Sequence, residues 1–83
     1  MTDSHEDKTQ LPVLYGTSAC HLCEQAEAML MDLLPASGYR KVDISEDDAL
    51  FDRYGWSIPV VARPDGQELN WPFELARLRN FLA

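Results

Sequence analysis

The chain has 83 residues, of which 46% are hydrophobic and 25% are charged, a composition typical of one globular domain. Fourteen acidic against seven basic residues give a formal net charge of −7, the wrong sign for a surface that binds nucleic-acid phosphates. No run approaches the roughly 20 apolar residues of a membrane-spanning helix, and residues 1–8 lack the apolar segment of a secretory signal. We therefore expect a cytoplasmic monomer that binds neither nucleic acid nor a membrane, with one domain over residues 11–83 after a flexible polar tail over residues 1–10.

The first half of the chain predicts a strand, a helix and a second strand. Residues 11–16 form a short apolar run that ends at a glycine, as a buried strand does. From Cys20 onward apolar residues recur at three- and four-residue spacing, which predicts a helix that stops near Pro35 and carries Glu27 on its polar side. Ser18 is the expected cap of this helix. Alternation of apolar and polar residues over 39–44 then predicts the second strand.

The second half predicts a short helix, a hairpin and a last helix. Ser45 is the expected N-cap of the short helix, and Gly55 is expected to close it in the left-handed conformation. Two strands over 58–62 and 67–69 flank a turn rich in proline and glycine and predict the hairpin. Pro72 suits the first turn of the last helix. The order of elements, βαβαββα, predicts an α/β sandwich in which helices flank a mixed four-stranded sheet.

Cys20 and Cys23 lie at the predicted turn from the first strand into the first helix. Unpaired backbone N–H groups at a helix N-terminus stabilise an anion and lower the pKa of a thiol from about 8.5 to roughly 3.5–7.5. This position makes Cys20 the candidate nucleophile and Cys23 the candidate resolving thiol that attacks Cys20 in a mixed disulfide. His21 and Leu22, between the cysteines, are expected to tune the potential: a protonated His21 would add positive charge near a Cys20 thiolate. The alternative for His21 is an exposed loop residue.

Two other functions stay open for the cysteine pair. Cys-x-x-Cys is also a zinc-ligand spacing, but only His5 and His21 remain as further imidazole ligands, so a metal carrier would need ligands from a partner. We expect no metal site within the chain. A redox-inactive binding or adaptor module would instead leave the cysteines unreactive and hold a peptide in a groove.

The sequence Tyr-Gly-Thr-Ser-Ala-Cys-His-Leu-Cys over residues 15–23, followed by Ile-Pro-Val at 58–60, resembles glutaredoxin and its small bacterial glutaredoxin-like relatives. The order of predicted elements is similar to that family over residues 11–83. The resemblance implies a thioredoxin-like (glutaredoxin-like) fold. It also implies an enzyme, a thiol–disulfide oxidoreductase that acts on a protein or small-molecule thiol or disulfide.

In that family the dithiol faces a proline preceded by a cis peptide bond, and the resemblance implies this form for the Ile58–Pro59 bond. It further implies that the N–H and C=O groups of Ile58 pair with an extended substrate near Cys20. Trp56 and Trp71 flank the proline loop and the start of the last helix. Two interpretations stay open for these tryptophans: they border the substrate groove together, or each packs in the core, as single tryptophans commonly do.

Three departures from glutaredoxins bear on glutathione. Glutaredoxins carry a lysine where this chain has Thr17, a proline where it has Ser18, and two glycines before the last helix, where this chain has Leu-Asn-Trp-Pro-Phe at residues 69–73. The glycine pair helps to hold one carboxylate of glutathione in that family. Because the lysine is replaced and the chain is acidic, we expect no cofactor and expect glutathione to be a poor co-substrate.

Overall fold

A computed structural model of the protein describes residues 11–35 and 37–83, so the predicted tail over residues 1–10 lies outside the described residues. The elements follow the predicted order and have these bounds: β1 (Val13–Gly16), α1 (His21–Leu33), β2 (Arg40–Asp43), a 3-10 turn (Ile44–Glu46), α2 (Asp48–Tyr54), β3 (Val60–Ala62), β4 (Glu68–Asn70) and α3 (Leu75–Leu82). None of the helices in these two ranges is both long and apolar enough to cross a bilayer.

The four strands form one mixed sheet in the order β2-β1-β3-β4. β1 runs parallel to β2 and antiparallel to β3, and β3 pairs antiparallel with β4. The parallel pair is joined through α1, because parallel strands need a crossover connection and a helix supplies it. The predicted α/β class and the mixed four-stranded sheet are confirmed.

Alternate side chains along the strands face opposite sides of the sheet and build two apolar clusters. The larger cluster joins β1, β3 and β4 to α1 and α3 through Leu14, Ala26, Leu30, Val61, Leu69, Phe73 and Leu78. The smaller cluster joins β3 to α2 through Ile44, Tyr54 and Val60. Because Val60 and Val61 are neighbours in one strand, α2 lies on the face opposite α1 and α3. The central strands β1 and β3 are therefore covered on both faces, and the site lies where β1 ends and β3 begins.

The cap predicted for the second helix is wrong. Asp43 Oδ1 accepts hydrogen bonds from the Ser45 N–H at 2.9 Å and from its hydroxyl at 2.6 Å, which holds Ser45 in the 3-10 turn. Asp47 caps α2 instead, since its Oδ1 accepts from the N–H groups of Ala49 at 2.9 Å and Leu50 at 3.1 Å. Both aspartates satisfy N–H groups that have no partner at the start of a helix.

Two further helix ends differ from the predictions. Gly55 ends α2 with φ −55° and ψ −28°, so it is right-handed and not left-handed. Pro72 lies outside the last helix, because α3 begins at Leu75 after Glu74 as its N-cap. The peptide bonds Ile58–Pro59 and Trp71–Pro72 are both cis.

Candidate active site

Cys20 is the N-cap of α1, with an extended backbone at φ −105° and ψ 110°. It forms a disulfide with Cys23, and the two Cα atoms are 5.1 Å apart. The Cys23 N–H donates a hydrogen bond to Cys20 Sγ at 3.1 Å. Cys20 thus occupies the capping position predicted for Ser18, whose side chain is exposed. After reduction, the same N–H group would face a Cys20 thiolate, and hydrogen bonds to an anion stabilise it.

The two cysteines differ in burial. Cys20 is half-buried, whereas Cys23 retains only 6% of its surface. Gly16 at the end of β1 approaches Cys23 so closely that a Cβ on Gly16 would lie 2.8 Å from Cys23 Sγ. A glycine is therefore needed where the strand passes the inner cysteine. Cys20 is therefore the more accessible of the two cysteines.

The loop before β3 lies next to the dithiol. Tyr15 pairs with Val60, so one residue further along this register Pro59 lies beside Gly16. Pro59 is fully buried, and its carbonyl accepts a hydrogen bond from the Trp71 N–H at 3.1 Å. The expectation that the Ile58 N–H pairs with a substrate is wrong, because this N–H donates to the Tyr54 carbonyl at 3.1 Å.

The two predicted groove tryptophans have different environments. Trp71 is half-buried, packs against the larger core cluster and meets the Phe73 ring edge-on, with centroids 5.0 Å apart. Trp56 is 100% exposed. Core packing is therefore right for Trp71 and wrong for Trp56, whose ring is left in solvent beside the proline loop.

The residues between the cysteines lie at the surface of the first turn of α1. His21 begins α1 and is exposed, and Leu22 retains 41% of its surface. Cys23, the next residue, is the one that turns toward the core. His21 and Leu22 are therefore open to a molecule that approaches Cys20.

A cleft of about 270 Å³ opens beside Cys23, between α1 and the strands β1 and β2. Its charged lining residues are Glu24, Glu27, Lys41 and Asp43, so three carboxylates face one ammonium group. The cleft is therefore acidic in net charge.

Glu27 is the member of this cleft that sequence reasoning missed. Its carboxylate accepts hydrogen bonds from the Tyr39 hydroxyl at 2.8 Å and from Lys41 Nζ at 3.0 Å. These bonds, that of Tyr39 foremost, lower the pKa of Glu27 and keep it ionised. Burial, and then the bond to Glu27, raise the pKa of Tyr39 to about 12. The signal available in the sequence was the four-residue spacing from Cys23 to Glu27, which puts both on one side of the helix.

No group of three or more histidine, cysteine, aspartate or glutamate side chains is placed to hold a metal ion within residues 11–35 and 37–83. Within the described part of the chain, Cys20 and Cys23 therefore have no further side chains placed beside them to complete a metal site.

The model of the glutaredoxin-like domain (DUF836) matches residues 12–83. The chain belongs to this glutaredoxin-like family. Solved structures similar to this glutaredoxin-like protein support the family assignment. The X-ray structure of protein XcR50 from X. campestris has a TM-score of 0.78 and 42% identity, covering 86% of this chain and 93% of that chain.

The solution NMR structure of protein Ne2328 from Nitrosomonas europaea has a TM-score of 0.71 and 25% identity to the glutaredoxin-like protein, covering 88% of this chain and 91% of that chain. Among curated proteins, none matches. The resemblance inferred from the cysteine and proline motifs, and the thioredoxin-like fold that it implies, are confirmed.

Proposed function

We propose that this glutaredoxin-like protein is a thiol–disulfide oxidoreductase in which Cys20 is the nucleophile and Cys23 the resolving thiol. The observation that carries the proposal is the position of Cys20 at the N-cap of α1, with the Cys23 N–H donating to its sulfur at 3.1 Å. A thiolate at such a position is stabilised by the helix N-terminus. The half-buried Cys20 and the buried Cys23 fit the order in which the two sulfurs would act.

The proposed reaction has two exchange steps. The Cys20 thiolate attacks one sulfur of a substrate disulfide, forms a mixed disulfide with it and releases the other substrate sulfur as a thiolate, which takes up a proton. Cys23 then loses its proton and attacks Cys20 Sγ, which forms the Cys20–Cys23 disulfide and releases the second substrate thiol. The substrate gains two electrons and the dithiol loses two, so each turnover needs a dithiol or two monothiols to reduce the protein again.

The charge around the dithiol bears on the substrate. Three carboxylates and one ammonium group line the cleft beside Cys23, and the whole chain carries a net charge of −7. An anion with two carboxylates, such as glutathione, is repelled by this field. We therefore propose protein or small-molecule disulfides without excess negative charge as substrates, and expect glutathione to act poorly.

The proposal is tested by the rate of thiol alkylation against pH in the reduced protein and in the variants Cys20→Ser and Cys23→Ser. We expect one fast thiol with a pKa below about 7.5, lost in Cys20→Ser and retained in Cys23→Ser. Two slow thiols that titrate near about 8.5 would contradict the proposal and favour a redox-inactive binding module.

A further inference from the structure

The outer face of α2 and the turn after it expose two large aromatic side chains. Trp56 is 100% exposed and Phe51 is 53% exposed. Exposed apolar patches that are rimmed by polar residues commonly mark interaction sites. The inner face of α2 is already occupied, since Tyr54 and Leu50 pack in the smaller apolar cluster.

Phe51 and Trp56 lie on either side of Gly55, at the end of α2. Ring atoms of Phe51 lie 3.5 Å from the position of a Cβ on Gly55, the residue before Trp56. Asp48 lies three residues before Phe51 and four before Asp52 in α2, spacings at which helical side chains are neighbours, so Asp48 stands between Phe51 and Asp52. We call Asp48, Phe51, Asp52 and Trp56 the acidic–aromatic face.

The chain segment that leads into this face and includes most of it is acidic. Residues 43–52 contain five carboxylates and no basic residue. Arg53, the basic residue that follows, is engaged with other residues. Its guanidinium is 3.3 Å from Glu68 and 5.2 Å from the centroid of the Tyr54 ring. Among the described residues, Asp48 and Asp52 form no ion pair. The face therefore complements a positively charged partner.

The acidic–aromatic face is connected to the dithiol by a short, held turn. The Tyr54 carbonyl accepts from the N–H groups of Ser57 at 2.8 Å and of Ile58 at 3.1 Å, which fixes the chain between Trp56 and the proline loop. Pro59 in turn lies beside Gly16, the residue in contact with Cys23. A chain bound at Cys20 can thus continue across this turn onto α2.

We propose that the acidic–aromatic face docks a basic, apolar segment next to the disulfide of a protein substrate. The inference rests on the proposed oxidoreductase function and names its substrate class. Trp56 and Phe51 supply the apolar contact, because aromatic side chains are the usual anchors of an interface. Asp48 and Asp52 select for lysine or arginine in the segment and speed its encounter.

The test compares two synthetic peptides that share one intramolecular disulfide and differ only in their flanks, Arg and Leu in one and Glu and Leu in the other. We expect kcat/KM for the basic peptide to exceed that for the acidic peptide about tenfold at low salt, and the difference to shrink in high salt. Each rate is divided by the rate with hydroxyethyl disulfide, which is small and uncharged, so that changes at the cysteines themselves cancel.

Substitutions separate the two parts of the face. We expect the normalised rate for the basic peptide to fall about threefold in the double variant Asp48→Asn/Asp52→Asn and about tenfold in Phe51→Ala/Trp56→Ala. The matched control is Met31→Ala/Asp32→Asn, which removes a 61% exposed apolar side chain and one carboxylate at the far end of α1. Equal rates for both peptides, or an equal loss in the control, would overturn the inference.

A binding measurement distinguishes this inference from the proposed function. The probe is the basic peptide with serine in place of both cysteines, labelled for fluorescence anisotropy. Binding that is weakened by Asp48→Asn/Asp52→Asn supports the docking face even where the cysteines prove unreactive. Disulfide reduction without such binding and without a charge preference overturns the docking face and leaves the oxidoreductase function standing.

Discussion

At the scale of single residues, the contact between Gly16 and Cys23 places the tightest steric demand on the site. A Cβ on Gly16 would lie 2.8 Å from Cys23 Sγ and 3.1 Å from its Cβ. Cys23 cannot rotate away, because its sulfur is bonded to Cys20. We predict that Gly16→Ala lowers the free energy of unfolding of the oxidised protein by about 1–3 kcal/mol, the range for overpacking a core position, as measured by urea denaturation.

The control for this prediction removes Cys23 Sγ, the atom that the added methyl group would meet. In a Cys20→Ala/Cys23→Ala background the added methyl group meets only a Cβ, and the loss caused by Gly16→Ala is expected to shrink to below about 1 kcal/mol. An equal loss in both backgrounds would show that the strand, and not the inner cysteine, requires a glycine at this position.

At the scale of secondary-structure elements, the start of α2 depends on Asp47. Its Oδ1 atom accepts from the N–H groups of Ala49 and Leu50. We predict that Asp47→Ala lowers the free energy of unfolding by about 1 kcal/mol, measured by urea denaturation, because both groups then lack a protein partner. Asp47→Asn keeps the side-chain oxygen and is expected to lose little, since asparagine is an equally good cap. A loss in Asp47→Asn as large as that in Asp47→Ala would mean that charge, not hydrogen bonding, stabilises this end.

The order of the elements could be predicted because each is encoded locally. Strand residues alternate or form short apolar runs, helices repeat at helical spacing, and glycine or proline lies near most of the boundaries. The caps could not be predicted, because Ser45 and Asp47 are both good capping residues and the choice depends on a competitor outside the helix. Asp43 binds the hydroxyl and N–H of Ser45, which leaves Asp47 to cap α2.

The candidate site was predictable to the same extent. Cys20 and Cys23 are three residues apart on one turn, so their pairing follows from local geometry alone. The bond from the Ile58 N–H to Tyr54 and the exposure of Trp56 depend instead on how α2 packs against the sheet. Contacts of this kind join residues from separate elements, so a local sequence pattern does not predict them.

At the scale of the whole molecule, two tyrosine–glutamate hydrogen bonds tie helices to the sheet on opposite faces. The Tyr39 hydroxyl, just before β2, donates to Glu27 on α1 at 2.8 Å. The Tyr54 hydroxyl on α2 donates to Glu68 on β4. Each carboxylate also meets a cation, Lys41 at 3.0 Å and Arg53 at 3.3 Å respectively. The same chemical unit therefore joins α1 to β2 and α2 to β4.

These two links predict a loss of stability in alkali. Burial, and then the bond to a glutamate, raise the pKa of both Tyr39 and Tyr54 to about 12, whereas a tyrosine in the unfolded chain titrates near 10. Between these values the unfolded chain releases protons that the native protein retains. On account of these groups the free energy of unfolding should not change with pH below about pH 10 and should fall toward pH 12. The fall should stay below the limit of about 1.4 kcal/mol per pH unit for each tyrosine, because solvent partly screens both hydroxyls.

Urea denaturation of the oxidised protein from about pH 9 to about pH 11.5 measures this fall, with Tyr39→Phe/Tyr54→Phe as the control. The double variant starts less stable, because Glu27 and Glu68 each lose a donor. Its stability should nevertheless change less steeply with pH, since lysine titration is common to both proteins and only the tyrosines differ. Parallel pH profiles for the two proteins would mean that Tyr39 and Tyr54 ionise as readily in the native state as in the unfolded chain, and that neither hydroxyl is held by its glutamate.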